Sequence, residues 1–198
     1  SRTLRINYRT SHQIRVSADK LLPPELSDVD GIAEDRRGTV SAFDGPDPTI
    51  RVFDSEDDEV AATAEWLTEC TKNGIQPEEI GVFVRSEEQF GRAATAAEKA
   101  GFPAIELREA AETKAKHLAI MTMHLAKGLE FRAVLVMACD DEVIPLQARI
   151  AEVADDSDLE EVYNTERHLL YVACTRARDQ LMVTGVDPAS EFLDDLVE

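Results

Sequence analysis

The chain has 198 residues, with 40 acidic against 21 basic side chains and a formal net charge of −19 at pH 7. Its hydrophobic content of 43% is enough to bury a core, which excludes a disordered acidic tail, and its length fits one domain or at most two small ones. Read as a uniformly charged body, such a chain is repelled by nucleic acid and by anionic membrane surfaces.

Helical and strand periods alternate along the chain. Leu4 to Tyr8 reads as a strand, and Ser11 as the N-cap of a helix running from His12 towards Leu22, where Pro23 and Pro24 stop it. Residues 25–48 mix Asp, Gly and Pro without period and read as an irregular connection, followed by a short strand at Ile50 to Phe53. Glu56 to Asn73 has helical spacing and ends at Gly74, a good C-terminal stop. Ile80 to Val84 is a buried-type strand, Glu87 to Lys99 a helix closed by Gly101, and Phe102 to Leu107 a further strand. Leu118 to Met123 and the unbroken apolar run Ala133 to Ala138 read as strands, the latter covered on both faces. Residues 152–161 read as an acidic patch, Leu159 to Ala177 as a helix, Gln180 to Gly185 as a strand, and the rest as a short amphipathic tail. This alternation predicts an α/β fold in three layers, a mostly parallel sheet with helices on both faces, and one domain over residues 1–198.

Cys70, Cys139 and Cys174 are an odd set with no C-x-x-C pair, as expected of small buried hydrophobes in a reducing compartment. His12, His117, His124 and His168 show no metal-ligand spacing, so no metal site is expected. No run approaches a membrane span and no apolar leader follows Ser1, so a cytoplasmic protein with no membrane partner is the expectation. Ser1 in place of an initiator Met favours a piece cut from something larger.

Three stretches carry chemistry. In I-N-Y-R-T-S, residues 6–11, Tyr8 offers a flat stacking surface and Arg9 sits beside a helix N-terminus, where two sources of positive potential meet. The plainer alternative is a packed turn tyrosine and a solvated arginine. In T-M-H-L-A-K-G-L-E-F, residues 122–131, strand register puts Thr122 and His124 on the face of Leu118 and Ile120, emerging at the strand's C-terminal end, where open α/β sheets bind ligands. Lys127, Gly128 and Glu130 follow, a cation, a flexible backbone and a carboxylate able to accept from a sugar hydroxyl. Each of these residues taken alone reads equally well as a capped turn or a solvated pair. In E-R-H-L-L-Y-V-A-C-T-R-A-R-D, residues 166–179, Arg176 falls on the helix face of Leu169, Val172 and Ala173, either snorkelling or facing an anion, while Tyr171 reads as core and Arg178 as surface. The G-x-x-x-x-G-K-[ST] phosphate loop is absent throughout.

Taken in order, these stretches resemble motifs IV, V and VI of the UvrD/Rep family of superfamily 1 DNA helicases, and I-G-V-F-V-R-S and A-A-E-K-A-G-F-P between them fit the cadence of that family's second RecA-like domain. The resemblance implies a RecA-like motor domain in which Tyr8 stacks on the adenine of ATP, and Arg9 and Arg176 reach the γ-phosphate as arginine fingers. It further implies that Glu130 binds the ribose with Lys127 and Gly128 beside it, and that Thr122 and His124 lie along a single-stranded DNA track. The implied partners are single-stranded DNA and an N-terminal RecA-like domain, which would hold most of the Mg²⁺ of the ATP, so this chain alone is not expected to hydrolyse ATP. Three departures stand out. Thr165-Glu166-Arg167-His168 replaces two acids and two arginines, Ala138-Cys139-Asp140 lacks the usual glycine, and residues 104–117 leave no room for the family's inserted subdomain. The alternative is a non-catalytic helicase-like module docking on repair or transcription machinery through an acidic surface at residues 140–161.

The charge is unevenly placed. Residues 1–20 carry a net +4 and residues 114–132 a net +3, whereas residues 140–161 carry −8, so the acid surrounds the motif segments rather than filling them. Weak, strongly salt-sensitive DNA binding is therefore expected of the isolated chain.

Overall fold

The computed structural model describes residues 5–22, 39–109 and 113–197; the proposed stop at Pro23 and Pro24 and most of the irregular connection lie outside them. Among these residues the order is β1 (Arg5–Asn7), α1 (His12–Asp19), β2 (Thr39–Ser41), β3 (Thr49–Phe53), α2 (Glu56–Lys72), β4 (Ile80–Val84), α3 (Phe90–Lys99), β5 (Ala104–Leu107), β6 (Leu118–Thr122), β7 (Phe131–Val136), α4 (Gln147–Ala151), α5 (Asp156–Cys174), β8 (Ala177–Val186) and α6 (Phe192–Val197). The main sheet has six strands in the order β3-β8-β7-β4-β6-β5, every described pairing parallel, so all strand C-termini lie along one edge. β1 and β2 stand apart as a small parallel pair, a separation the strand reading did not anticipate.

Strand alternation divides two cores. Ala119, Met121, Val134 and Val136 face α1, α5 and α6, through Ile14, Ala18, Leu170, Ala173 and Phe192. Leu118, Ile120, Ala133 and Leu135 face α2 and α3, through Val60, Leu67, Phe90, Ala93 and Ala97. Runs such as β4, buried at all of its positions, are what a doubly covered parallel sheet requires. Two glycines allow close approach: a Cβ on Gly81 would lie 2.7 Å from the Phe131 ring, and one on Gly185 2.4 Å from the Cys139 carbonyl oxygen.

Helix ends follow local chemistry. Ser11 caps α1 by accepting the Ile14 N–H, Ser55 caps α2 through the Asp58 N–H, and Gly74 takes a left-handed φ of 87° just past the C-cap Asn73. Several boundaries differ from expectation, the starts of two helices among them. α5 begins at Asp156, not Leu159, because Asp155 accepts the N–H groups of Ser157 and Asp158, and Asp156 and Asp158 complement the helix dipole. The helix expected from Glu87 begins with a 3₁₀ turn, Glu87–Gln89, before α3.

Candidate functional site

At the N-terminal edge of the sheet, three chain segments converge. β7 pairs with β8 in the register Phe131↔Ala177, which places Glu130 beside Arg176 just ahead of the two strands. The Phe131 N–H donates to the Arg176 carbonyl at 3.0 Å. The third segment docks through Thr10, whose Oγ1 donates to the Thr175 carbonyl at 3.1 Å, and through the Ser11 N–H, which donates to the Arg178 carbonyl at 3.0 Å. Gly45 seals the junction, since a Cβ there would lie 3.0 Å from Ser11 Cβ and 3.2 Å from the Asp179 carbonyl oxygen. The Arg9 N–H donates to Asn7 Oδ1 at 2.8 Å, which turns the chain out of β1 and leaves Tyr8 69% exposed.

Arg176 does not lie on the helix, as its spacing from Leu169 had predicted. α5 ends at Cys174 with Thr175 as C-cap, and the face that α5 buries is Glu166, Leu170, Ala173 and Cys174. The half-buried Arg176 guanidinium folds back over the turn. Nε donates to the Val172 carbonyl at 3.1 Å, Nη2 to Thr175 Oγ1 at 3.3 Å and Nη1 to the Leu129 carbonyl at 3.5 Å. All three acceptors are neutral, so among the described residues no carboxylate is bonded to the charge. Burial first and the neighbouring Arg9 second lower its pKa, against the opposing pull of Tyr171 and Glu130. Arg176 thus stands within electrostatic reach of Arg9 and Glu130, and the exposed Tyr8 precedes Arg9 in the chain.

The C-terminal edge carries a second group. Thr122 ends β6, and His124 lies in a 3₁₀ turn, Met123–Leu125, so the strand alternation expected to carry His124 stops at Thr122. Burial and then Arg85 lower the His124 pKa, Glu166 raises it and Arg149 lowers it. Residues 126–130 then return towards the start of β7, with Lys127 and Gly128 exposed and Gly128 at a φ of 82°. Glu130 therefore ends at the edge opposite Thr122 and His124, although the loop reading had grouped them.

Two buried ionic clusters escaped the sequence reading. Glu166, with 0% exposure, accepts from Arg85 Nε at 2.6 Å and Nη2 at 2.7 Å, and also from Arg149 and the Leu146 N–H. The second joins Arg92 to Glu59 and, at 2.7 Å, to Asp140; Glu59 also accepts from the Ala138 N–H at 3.0 Å and Thr184 Oγ1 at 2.6 Å. Asp140, the first of the acidic stretch, is thus committed to an ion pair. A signal was present, since Glu166, Leu170 and Ala173 share one helical face and an acid on an apolar stripe needs a cation. All three cysteines are free and buried, and burial raises their pKa values, to about 12 for Cys70 and Cys174. Among the described residues no group of three or more His, Cys, Asp or Glu could hold a metal ion, and no helix is long and apolar enough to cross a membrane.

The six-stranded parallel sheet, helices on both faces and ligand-type residues on its edges define a RecA-like α/β domain. Residues 104–187 match the family model of the UvrD-like helicase C-terminal domain. The ATP-dependent DNA helicase PcrA of Staphylococcus epidermidis is 42% identical over 66 residues, covering 33% of this chain and 8% of the relative. PcrA of Bacillus subtilis is 34% identical over 96 residues, covering 41% of this chain and 12% of that protein. The matches thus span about a tenth of these relatives' length. The fold is shared with the C-terminal domain of a possible DNA helicase from Lactobacillus plantarum WCFS1, at a TM-score of 0.66 and 20% identity over 96% of this chain and 94% of that one.

Proposed function

We propose that residues 1–198 form the second motor domain of an ATP-dependent DNA helicase or translocase, with no inserted subdomain between β5 and β6. The observation that carries this reading is Arg176, a half-buried guanidinium bonded among the described residues only to neutral acceptors, with Arg9 and Glu130 beside it. An anion between the two arginines removes their repulsion, Tyr8 supplies a stacking face, and Glu130 accepts from a sugar hydroxyl. These residues fit ATP presented from across a cleft by an N-terminal RecA-like domain. That domain supplies the phosphate-cradling loop and most of the Mg²⁺ ligation. Bound ATP supplies the phosphoanhydride bond whose cleavage drives movement, while Arg9 and Arg176 hold positive charge where negative charge develops. Thr122 and His124, at the opposite edge, line the path of single-stranded DNA.

The test is steady-state ATP hydrolysis by the full-length protein with and without single-stranded DNA. Arg176→Ala and Arg9→Ala should each lower kcat by about a thousandfold, as removal of an arginine finger does, with nucleotide affinity largely kept. The 198-residue chain alone should show no DNA-stimulated turnover. Unchanged turnover in both variants would refute the arginine assignment.

A further inference from the structure

At the C-terminal edge of the sheet, the Glu166 cluster carries one guanidinium more than its carboxylate requires. Arg85 meets Glu166 through the side-on Nε and Nη2 edge, at 2.6 and 2.7 Å, a bidentate pair of zero net charge. Arg149 adds a single bond, from Nη1 to Glu166 Oε1 at 3.1 Å, on an oxygen already occupied by Arg85. The trio is therefore cationic. Its surplus charge faces outward, since the Arg149 side chain is 37% exposed against 5% for Arg85.

Arg149 is also the one basic residue among the nine acids of residues 140–161, yet its ion pair among the described residues is with the interior Glu166. Its Nε and Nη2 make no hydrogen bond to any described residue, so among the described residues the side-on edge of the fork carries no partner. The placement is fixed from behind: the Leu146 N–H donates to Glu166 Oε2 at 3.3 Å, anchoring the start of the short α4 on which Arg149 sits. His124 lies within electrostatic reach of Arg85, Glu166 and Arg149 alike, so the open guanidinium edge and the end of β6 belong to one patch.

We infer that Arg149 is a further phosphate ligand for the nucleic-acid strand, with Glu166 orienting the guanidinium through Nη1 and the Nε and Nη2 edge receiving a backbone phosphate beside Thr122 and His124. This inference rests on the DNA-track reading above. Glu166 acts as a positioning residue, and Arg85 neutralises Glu166 so that the Arg149 charge remains available to the strand. A planar fork presented edge-on suits a phosphodiester better than a point charge does.

The experiment is fluorescence anisotropy of a labelled oligo(dT) titrated with the 198-residue chain across a low-salt series. Arg149→Ala should weaken binding about tenfold at low salt and lessen the slope of log K against log salt by about 0.7, the value for one phosphate contact on a single strand. Arg149→Lys should keep the slope while recovering only part of the affinity, because it retains the charge and loses the fork. Binding by the unmodified chain with an unchanged slope in Arg149→Ala, whether or not affinity falls, overturns the Arg149 assignment alone. No binding by the unmodified chain overturns the DNA-track reading, and the inference with it.

Discussion

Glu130 and Arg176 stand side by side because the Phe131 N–H donates to the Arg176 carbonyl at 3.0 Å, in the register Phe131↔Ala177. The pairing belongs to the backbone of β7 and β8, so the position of residue 176 does not depend on its side chain. Among the described residues the side chain bonds only neutral oxygens, and it is repelled by Arg9. Arg176→Ala should therefore cost about 1 kcal/mol or less of stability in urea denaturation, the net value of ordinary hydrogen bonds. A much larger loss would show that the arginine is structural.

Glu166 presents the opposite case. Glu166→Gln leaves Arg85 buried opposite a neutral amide and should destabilise the fold by about 3 kcal/mol, the low end for breaking a buried pair. Burial alone would raise the Glu166 pKa, but the Arg85 hydrogen bonds, the Leu146 N–H and Arg149 lower it overall. A carboxylate with a depressed folded pKa stabilises above its unfolded value, near 4.3, and loses that contribution as pH falls through the folded value. Acid titration followed by circular dichroism should show a shallower stability loss below about pH 4.3 in Glu166→Gln than in the parent.

His124 carries the complementary sign. Its folded pKa lies below the ordinary value, so between the two values the unfolded chain binds the extra proton and stability falls as pH drops below about 6.5. His124→Gln should remove that component of the pH dependence. A phosphate close to the ring favours the imidazolium, so saturating oligo(dT) should move the His124 titration, followed by NMR, to higher pH. An unmoved titration in the presence of bound strand would separate His124 from the track.

Gly185 tests the packing of the C-terminal edge. A Cβ there meets the Cys139 carbonyl oxygen at 2.4 Å, and that obstruction is backbone, which cannot rotate away. Gly185→Ala should cost about 3 kcal/mol through overpacking, measured by thermal or urea unfolding. Gly91→Ala, where a Cβ would meet nothing within 4 Å, is the matched control and should be neutral or stabilising.

Periodicity made most of the architecture legible. The limits of β4 at Ile80 and Val84, the Ser11 cap and the Gly74 stop match the reading of the chain because each is set by local chemistry. Arg176 was found for its residue type but misplaced on a helix, since the end of α5 at Cys174 is set by the entry of Ala177 into β8, a pairing distant in sequence. The apolar face of α5 marks Glu166 as an acid in need of a cation, but its partner Arg85, 81 positions away, is not legible for the same reason: a hydrophobic pattern records which face is buried and not what a buried charge meets there. Tyr8 and Arg9 lie at the junction between β1 and α1, as the sequence pattern implies, whereas the separate pairing of β1 with β2 depends on residues more than thirty positions apart and leaves no local signal.

α5 has 19 residues, about 28 Å at 1.5 Å per residue, and Glu166 grips the sheet at one edge while the Thr175–Arg176 turn meets it at the other. Between the two lie eight residues of uninterrupted helix packed on a fully bonded sheet, with no hinge to absorb a tilt. A displacement imposed on the Arg149 side is then passed along this stiff rod to the guanidinium at its far end. A load applied at either edge is therefore borne by the helix and the sheet together.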